Sequence, residues 1–157
     1  MPFFTISFDS KAFRQYLAQF DDYEINRRAN AAMAESLAYL QNEVVKNTPS
    51  NFGLLRNSIQ PSIHGTTLAD LRGTLAPTGP STHYAYYVEE GRRPGKFPPR
   101  APIELWAQRK LGDAGLWFVV ARKIARRGIE GKHMFRDAKD RGQKIIPAIW
   151  RRHFKFK

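Results

Sequence analysis

The sequence predicts an α+β fold, in which a short antiparallel sheet is packed by a long N-terminal helix and followed by a C-terminal helical section. Apolar residues recur every three or four positions over residues 22–47, as one face of a helix requires. Short β-like segments separated by turn residues follow over about residues 55–90. With 157 residues, the chain is expected to form a single domain, residues 1–157.

The long helix is predicted over about residues 22–47. Asp21 and Asp22 suit its start, and Pro49 cannot continue it. Its predicted buried stripe consists of Ile25, Ala29, Met33, Leu37, Leu40 and Val44. Upstream, the alternation of Phe4, Ile6 and Phe8 predicts a short strand. A short helix that Ser10 can cap is predicted from the spacing of Phe13, Tyr16, Leu17 and Phe20.

The sheet is predicted over about residues 55–90. Two strand candidates, residues 55–65 and 70–78, are joined by a turn around Gly65. Pro61 favours an edge position or a bulge for the first of them, because proline cannot donate to a β-ladder. The third candidate is HYAYYVEE, residues 83–90, which is rich in the aromatic and branched residues that strands favour. Residues 77–83 are predicted to form a loop.

A basic, proline-rich arm is predicted over residues 91–100, before the helical section of residues 101–153. One helix is expected at about 101–111 and is closed by Gly112. A second contains Leu116, Val120 and Ile124 and ends at Gly128. A third starts near Met134, and Gly142 and Pro147 are expected to weaken or kink it.

Charge is distributed unevenly along the chain, whose net charge is +12. Residues 1–91 hold 7 basic and 9 acidic residues, whereas residues 92–157 hold 19 basic and 5 acidic residues. Such asymmetry favours a polyanion near the C-terminal half. Well-solvated basic helices are the alternative, since cations near a helix C-terminus complement its dipole. Arg122, Lys123, Arg126 and Arg127 have that position in the second helix.

The sequence gives no positive sign of catalysis, so we expect a protein that is not an enzyme and that has no catalytic residues, no metal and no cofactor. Cysteine is absent, which excludes thiolate nucleophiles and disulfides. None of the four histidines has the spacing of a metal-binding motif. Glu89 and Glu90 would point to opposite faces of a strand. No apolar run is long enough for a membrane span, and no secretory signal is expected.

Three stretches, in this order and spacing, resemble the minor tail or tail-completion (head–tail neck) proteins of tailed bacteriophages. They are KNTPSNFGLLRNSI (residues 46–59), YAYYVEEGRRPGKFPPRAP (84–102) and WFVVARKIARRGIEGKHMFRDA (117–138). That family typically shows Pro-x-Asp-Thr-Gly-x-Leu-x-x-Ser-Ile and Tyr-Ala-x-x-Val-Glu-x-Gly. Here Asn51 and Phe52 replace Asp-Thr. The matching positions are Gly53, Leu55, Ser58, Ile59, Tyr84, Ala85, Val88, Glu89 and Gly91.

The resemblance, which covers about residues 22–140, implies a structural virion protein of the phage neck. It would be a tail-completion or head-to-tail connector component that assembles as a ring around the DNA channel. The implied partners are copies of itself, neighbouring neck and tail proteins, and packaged DNA by proximity. The implied location is the virion, at the neck or tail top, with assembly in the host cytoplasm.

The basic arm is the candidate partner-facing or DNA-facing segment, with Arg92, Arg93, Lys96 and Arg100 as its charged residues. On this interpretation Gly91 releases the chain from the sheet, and the prolines keep the arm extended. A plain surface loop is the competing interpretation of the arm. For the whole protein, the alternative function is sequence-nonspecific nucleic-acid binding, and a nuclease is a more distant one.

Overall fold

The computed structural model describes residues 4–7, 21–49 and 53–155 of the chain. In order, the elements are β1 (Phe4–Ser7), α1 (Asp22–Asn47), α2 (Leu54–Ser58), β2 (Ile59–His64), β3 (Arg72–Pro77), α3 (Ser81–Glu90), β4 (Gly91–Arg92), α4 (Arg100–Leu111), a 3-10 turn (Ala114–Leu116), α5 (Trp117–Arg127), β5 (Ile129–Glu130) and α6 (Met134–His153). The predicted α+β class is confirmed. The predicted short helix with Phe13, Tyr16, Leu17 and Phe20 lies outside the described residues, as do Phe8, Asn51 and Phe52.

Helix α1 has the predicted bounds. The Asp21 side chain caps it by accepting a hydrogen bond from the Tyr23 amide at 3.2 Å, and the helix ends before Thr48 and Pro49. All six residues of the predicted apolar stripe are buried. This stripe packs against α6 on one side and against β2 and β3 on the other, so α1 lies at the centre of the hydrophobic core.

The main sheet is antiparallel, with strand order β1-β3-β2. Ile59 pairs with Pro77 at one end of β2, and His64 pairs with Arg72 at the other. Along β3, alternate residues are buried, as expected for a strand with one face on the core. Strand β2 lies at an edge of the sheet, where the missing N–H group of Pro61 costs no hydrogen bond of the ladder. The first strand candidate starts later than predicted, because residues 54–58 form the helical turn α2.

Helix α6 packs closely on α1, and its glycine serves this packing. Gly142 is buried in the middle of the continuous helix, and a Cβ there would lie 2.6 Å from the Leu40 Cδ2 atom. A larger residue would therefore require the Leu40 side chain to shift. Helix α6 continues through both Gly142 and Pro147, and that these two residues weaken or kink it stays a prediction.

The third strand candidate, HYAYYVEE, is helical instead: α3 spans Ser81–Glu90. Consequently the predicted sheet does not extend to residue 90, and the predicted loop over residues 77–83 ends where α3 begins. Ala85, Val88 and Glu89 are buried, and their i, i+3, i+4 spacing places them on one helical face. Burial of that face outweighs the β propensity of the tyrosines, because propensity is weak relative to tertiary packing.

Residues 91–130 form a helical hairpin between α3 and α6, which we call the basic hairpin. Its base is a two-stranded ribbon in which Gly91 pairs with Glu130 and Arg92 pairs with Ile129. Beyond the ribbon, α4 and α5 pack on each other through the 3-10 turn. The predicted ends of both helices, at Gly112 and Gly128, are confirmed.

We predict that Leu37→Ala and Leu40→Ala each lower the free energy of unfolding by about 2–5 kcal/mol. Both side chains are 1% exposed, so truncation removes buried area and leaves a cavity. Asn42→Ala, at an exposed position of the same helix, is the control and should change stability by less than about 0.5 kcal/mol. Urea denaturation followed by circular dichroism measures both. Unchanged transitions for the two leucine variants would contradict this account of the core.

Candidate functional site

The end of α3 meets the start of α6, and the two helix ends satisfy each other's backbone groups. The amides of Lys132 and His133 donate to the carbonyls of Val88 and Glu89, at 2.7 and 3.2 Å. Helix ends leave carbonyls and amides without partners inside the helix. Here the carbonyls at the end of α3 accept hydrogen bonds from the amides of the residues that lead into α6, so the two helices are fixed end to end.

Glu89 completes this junction with its side chain. Its two carboxylate oxygens accept hydrogen bonds from the amides of Phe135 and Arg136, each at 3.0 Å. The residue before α6, His133, has left-handed backbone angles and provides no side-chain cap. Glu89, which is 3% exposed, therefore caps α6 from another helix, and its negative charge lies at the positive end of the α6 dipole.

The other positions of the second motif build the same junction. Ala85 and Val88 lie on the inner face of α3 and are buried in the core. Gly91 has a φ of +81°, and a Cβ there would collide with the carbonyl oxygen of Ile129. A residue with a side chain is thus excluded by both conformation and space. Gly91 does not release the chain as predicted, because it starts the ribbon that closes the basic hairpin.

The first motif forms the turn between α1 and the sheet. Gly53 takes left-handed angles, with φ of +73°, before α2. Leu55 and Ile59 are buried in the core. The Ser58 hydroxyl donates to the Leu55 carbonyl at 2.8 Å and closes the short helix. These four residues therefore have a structural role in joining α2 to β2.

Tyr84 is the motif position that stays exposed, and it lines an apolar groove of about 570 Å³ between α2, α3 and α4. Leu54, Tyr84 and Leu105 are 70%, 57% and 52% exposed. Exposed apolar surface of this kind marks interaction sites in proteins. The groove lining consists of Pro49, Gly53, Leu54, Leu55, Pro80, Ser81, Tyr84, Ala101, Pro102, Leu105 and Trp106.

The predicted basic arm is not free. The Gly95 amide donates to the Ala125 carbonyl of α5 at 2.8 Å, and the Phe97 ring stacks on Phe118 with centroids 5.8 Å apart. The segment therefore lies along α5 instead of extending from the body. Backbone hydrogen bonding and aromatic contact fix it, and its proline content alone did not reveal either.

The four arm cations have different surroundings. Arg92 donates to the Lys96 carbonyl. Arg100 lies in the first turn of α4, where it pairs with Glu104 at 3.2 Å and its guanidinium lies 4.9 Å from the centroid of the Trp117 ring. Arg93 and Lys96 are exposed. The structure thus does not bring the four predicted residues together as one free charged segment.

A second group of cations lies on α5. Arg122, Lys123, Arg126 and Arg127 are exposed, and none of them forms an ion pair with any residue in the described part of the chain. The helix dipole was one interpretation of this group, beside a bound polyanion. The stronger signal was that Arg122, Lys123 and Arg126 lie at i+3, i+4 and i+7 from Val119, which places all four on one face.

The cations of α6 differ, because acidic residues of α1 neutralise several of them. Arg141 pairs with Glu43 at 2.7 Å, and Lys46 pairs with the same carboxylate at 2.9 Å. Arg152 and His153 both contact Glu35. The hydrogen bonds from Arg141 and then Lys46 lower the pKa of Glu43 below its ordinary value of 4.5. These pairs tie α6 to α1 along its length.

Within the described residues, no group of three or more His, Asp or Glu side chains could hold a metal ion. In the same part of the chain, no helix combines the length and the apolar character that crossing a bilayer requires.

We predict that Glu89→Gln lowers the free energy of unfolding by about 1–3 kcal/mol, because an amide group then faces one of the two buried backbone donors. The neighbouring variant Glu90→Gln removes the same charge at an exposed position and should change stability by less than about 0.5 kcal/mol. Chemical denaturation of both variants measures the difference. Equal stabilities of the two variants would contradict the capping role of Glu89.

We further predict that the stabilising effect of Glu43 depends on pH. Because its pKa is lower in the folded state, its contribution is present above about pH 4.5 and is lost as the pH falls below that value. The difference in unfolding free energy between the wild type and Glu43→Gln should therefore shrink between about pH 7 and pH 3. Denaturant melts across this range measure it, and a difference independent of pH would contradict the ion pairing.

Comparison with known proteins supports the motif-based resemblance over the core of the chain. A family model described as "Bacteriophage HK97-gp10, putative tail-component" matches residues 11–91. No curated protein and no solved structure matches the chain. The matched region contains α1, β2, β3 and α3, and it ends at Gly91, where the basic hairpin begins. The chain belongs to the HK97-gp10-like family and is a tail-related structural protein of a bacteriophage.

Proposed function

We propose that this protein is a neck component of the virion that completes the tail or connects it to the head. Copies of the chain form a ring around the DNA channel, and the protein acts by assembly and not by catalysis. The observation that carries the proposal is the presence of two exposed surfaces, the cations of the basic hairpin and the apolar groove that α4 of the hairpin forms with α2 and α3. Assembly takes place in the host cytoplasm, and the mature protein lies at the neck or tail top.

The basic hairpin supports a location beside DNA. Residues 91–130 hold 10 basic and 3 acidic residues, a net charge of +7, and residues 1–90 have a net charge of −2. Residues 131–157 also have a net charge of +7, but Arg141 and Arg152 among them pair with acids of α1. A closed ring repeats the same surface in every subunit. A modest cluster on one chain therefore becomes a strongly positive belt, to which DNA phosphates are attracted independently of sequence.

The apolar groove supports contact with a protein. Its exposed side chains come from three helices, and Leu54, Tyr84 and Leu105 each leave more than half of their area in solvent. Covering these side chains would contribute about 25 cal/mol for each Å² of apolar area removed from water. We assign the groove to a neighbouring neck or tail protein, which is the second partner class that a connector requires.

Sequence-nonspecific nucleic-acid binding is the second candidate function, and the unpaired cations of α5 favour it. The two functions differ in what the isolated chain does. A connector needs its neighbours in the particle, whereas a nucleic-acid-binding protein acts without them. Particles that lack the protein therefore distinguish them.

We predict that phage lacking this protein produce filled heads and separate tails that are poorly joined or unfinished. Electron microscopy of the lysate and a plaque assay measure the defect. Complementation with the wild-type gene should restore joined particles. Infectious, fully joined particles from the deletion phage would contradict the proposal.

Two matched variants test the groove in the same complementation assay. Leu105→Ser changes a groove residue, and Leu111→Ser changes a residue of the same helix outside the groove with nearly equal exposure, 52% against 49%. We expect Leu105→Ser to lower the yield of joined particles at least about tenfold, the effect of about 1.4 kcal/mol at the interface. Leu111→Ser should complement normally. Equal yields from both would remove the groove from the proposal.

A further inference from the structure

We propose that the outer face of α5, formed by Arg122, Lys123 and Arg126, binds the phosphate backbone of duplex DNA without reading its bases. The inference deepens the proposed function and rests on it only for the source of the DNA, which is the packaged genome. The rigid face of α5, and not the proline-rich arm, is then the principal DNA contact.

The geometry of α5 separates an inner from an outer face. Ala121 is fully buried, and Val120 and Ile124 are partly buried beside it. Val119, by contrast, is 62% exposed, and Arg122, Lys123 and Arg126 follow it at i+3, i+4 and i+7. All three cations therefore project from one side of the helix within about one turn, roughly 5.4 Å of axial rise.

Within the described residues, no acidic side chain neutralises the charge of this face. Elsewhere Arg100 pairs with Glu104 at 3.2 Å, and Arg141 pairs with the buried Glu43 at 2.7 Å. Arg122, Lys123 and Arg126 have no such partner among the described residues. The dipole at the end of α5 supplies the equivalent of about half a negative charge, which is far less than three cations carry. In solution, water and counterions compensate the remaining charge, and a bound polyphosphate would release those counterions.

The arm extends the same patch. Because the Gly95 amide is bonded to the Ala125 carbonyl, the exposed Arg93 and Lys96 lie on either side of a residue fixed to α5. The acidic residues on either side of α5 in the sequence are Asp113 and Glu130. The Asp113 carboxylate caps the 3-10 turn before α5, and Glu130 is exposed beyond the end of α5. A rigid face of cations with one apolar residue suits contacts to phosphates, which position a protein but carry no sequence information.

The test compares two triple variants of the full chain that lose the same charge. Arg122→Gln, Lys123→Gln and Arg126→Gln remove the α5 face. Lys139→Gln, Lys144→Gln and Arg151→Gln, at exposed positions of α6, are the matched control. Fluorescence anisotropy with a short duplex of arbitrary sequence gives the affinity at several salt concentrations, and circular dichroism melting shows that both variants fold.

We expect the α5 variant to bind at least about tenfold more weakly at moderate salt, and the slope of log K against log salt to fall by about 2–3. The α6 variant should stay within about twofold of the wild type, since its cations are placed elsewhere. Equal losses of affinity in both variants would mean that net charge alone determines DNA binding, and this result would overturn the inference. Absence of binding by the wild type would also overturn it.

The failure of this inference can be told from the failure of the proposed function. If the α5 variant binds DNA normally while deletion phage still give unjoined heads and tails, the inference is wrong and the neck function stands. If the α5 variant loses DNA binding while deletion phage are normal, the DNA-binding face stands and the neck function is wrong.

Discussion

The buried carboxylate of Glu89 is the constraint on which the arrangement of the molecule depends. The carboxylate accepts hydrogen bonds from the amides of Phe135 and Arg136, in the first turn of α6, at 3.0 Å. The backbone carbonyl of Glu89 accepts a hydrogen bond from the His133 amide. A buried carboxylate is costly unless it is fully hydrogen-bonded, so α3 and α6 can meet in few other ways. This contact turns Tyr84, Tyr86 and Tyr87 outward. It also makes the chain leave and re-enter the core at one point, where the two-stranded ribbon supports the basic hairpin.

Electrostatics then distinguish the contact between α1 and α6, where acids pair with cations, from α5 of the hairpin, whose cations form no ion pair with any described residue. The acids of α1 lie opposite the cations of α6, so Glu35 and Glu43 hold the two longest helices together. On the hairpin, Glu104 neutralises Arg100, but α5 has no acidic residue in its sequence. The hairpin lies beyond the residues that the family model matches, which end at position 91. The proposed DNA contact therefore lies outside the residues that the family model matches.

Local patterns were sufficient to predict α1, the edge position of β2 and the ends of α4 and α5, because periodicity, proline and glycine act within a few residues. They failed for residues 83–90, where tyrosine and valine favour a strand but the spacing of Ala85, Val88 and Glu89 fits a helix. The motif positions were recognised, but their role was not, because the partners of Glu89 lie 46 and 47 residues away. The arm was predicted to be free for the same reason: its attachment to Ala125 is a long-range backbone hydrogen bond that composition does not encode.

A reconstruction of the intact virion at side-chain resolution would show both the position of the protein and the direction of α5. We expect a ring at the junction of head and tail, in which Arg122, Lys123 and Arg126 face the DNA in the channel and Leu105 is covered by a neighbouring protein. A position away from that junction, or a ring in which the α5 cations face outward into solvent while another surface contacts the DNA, would contradict it.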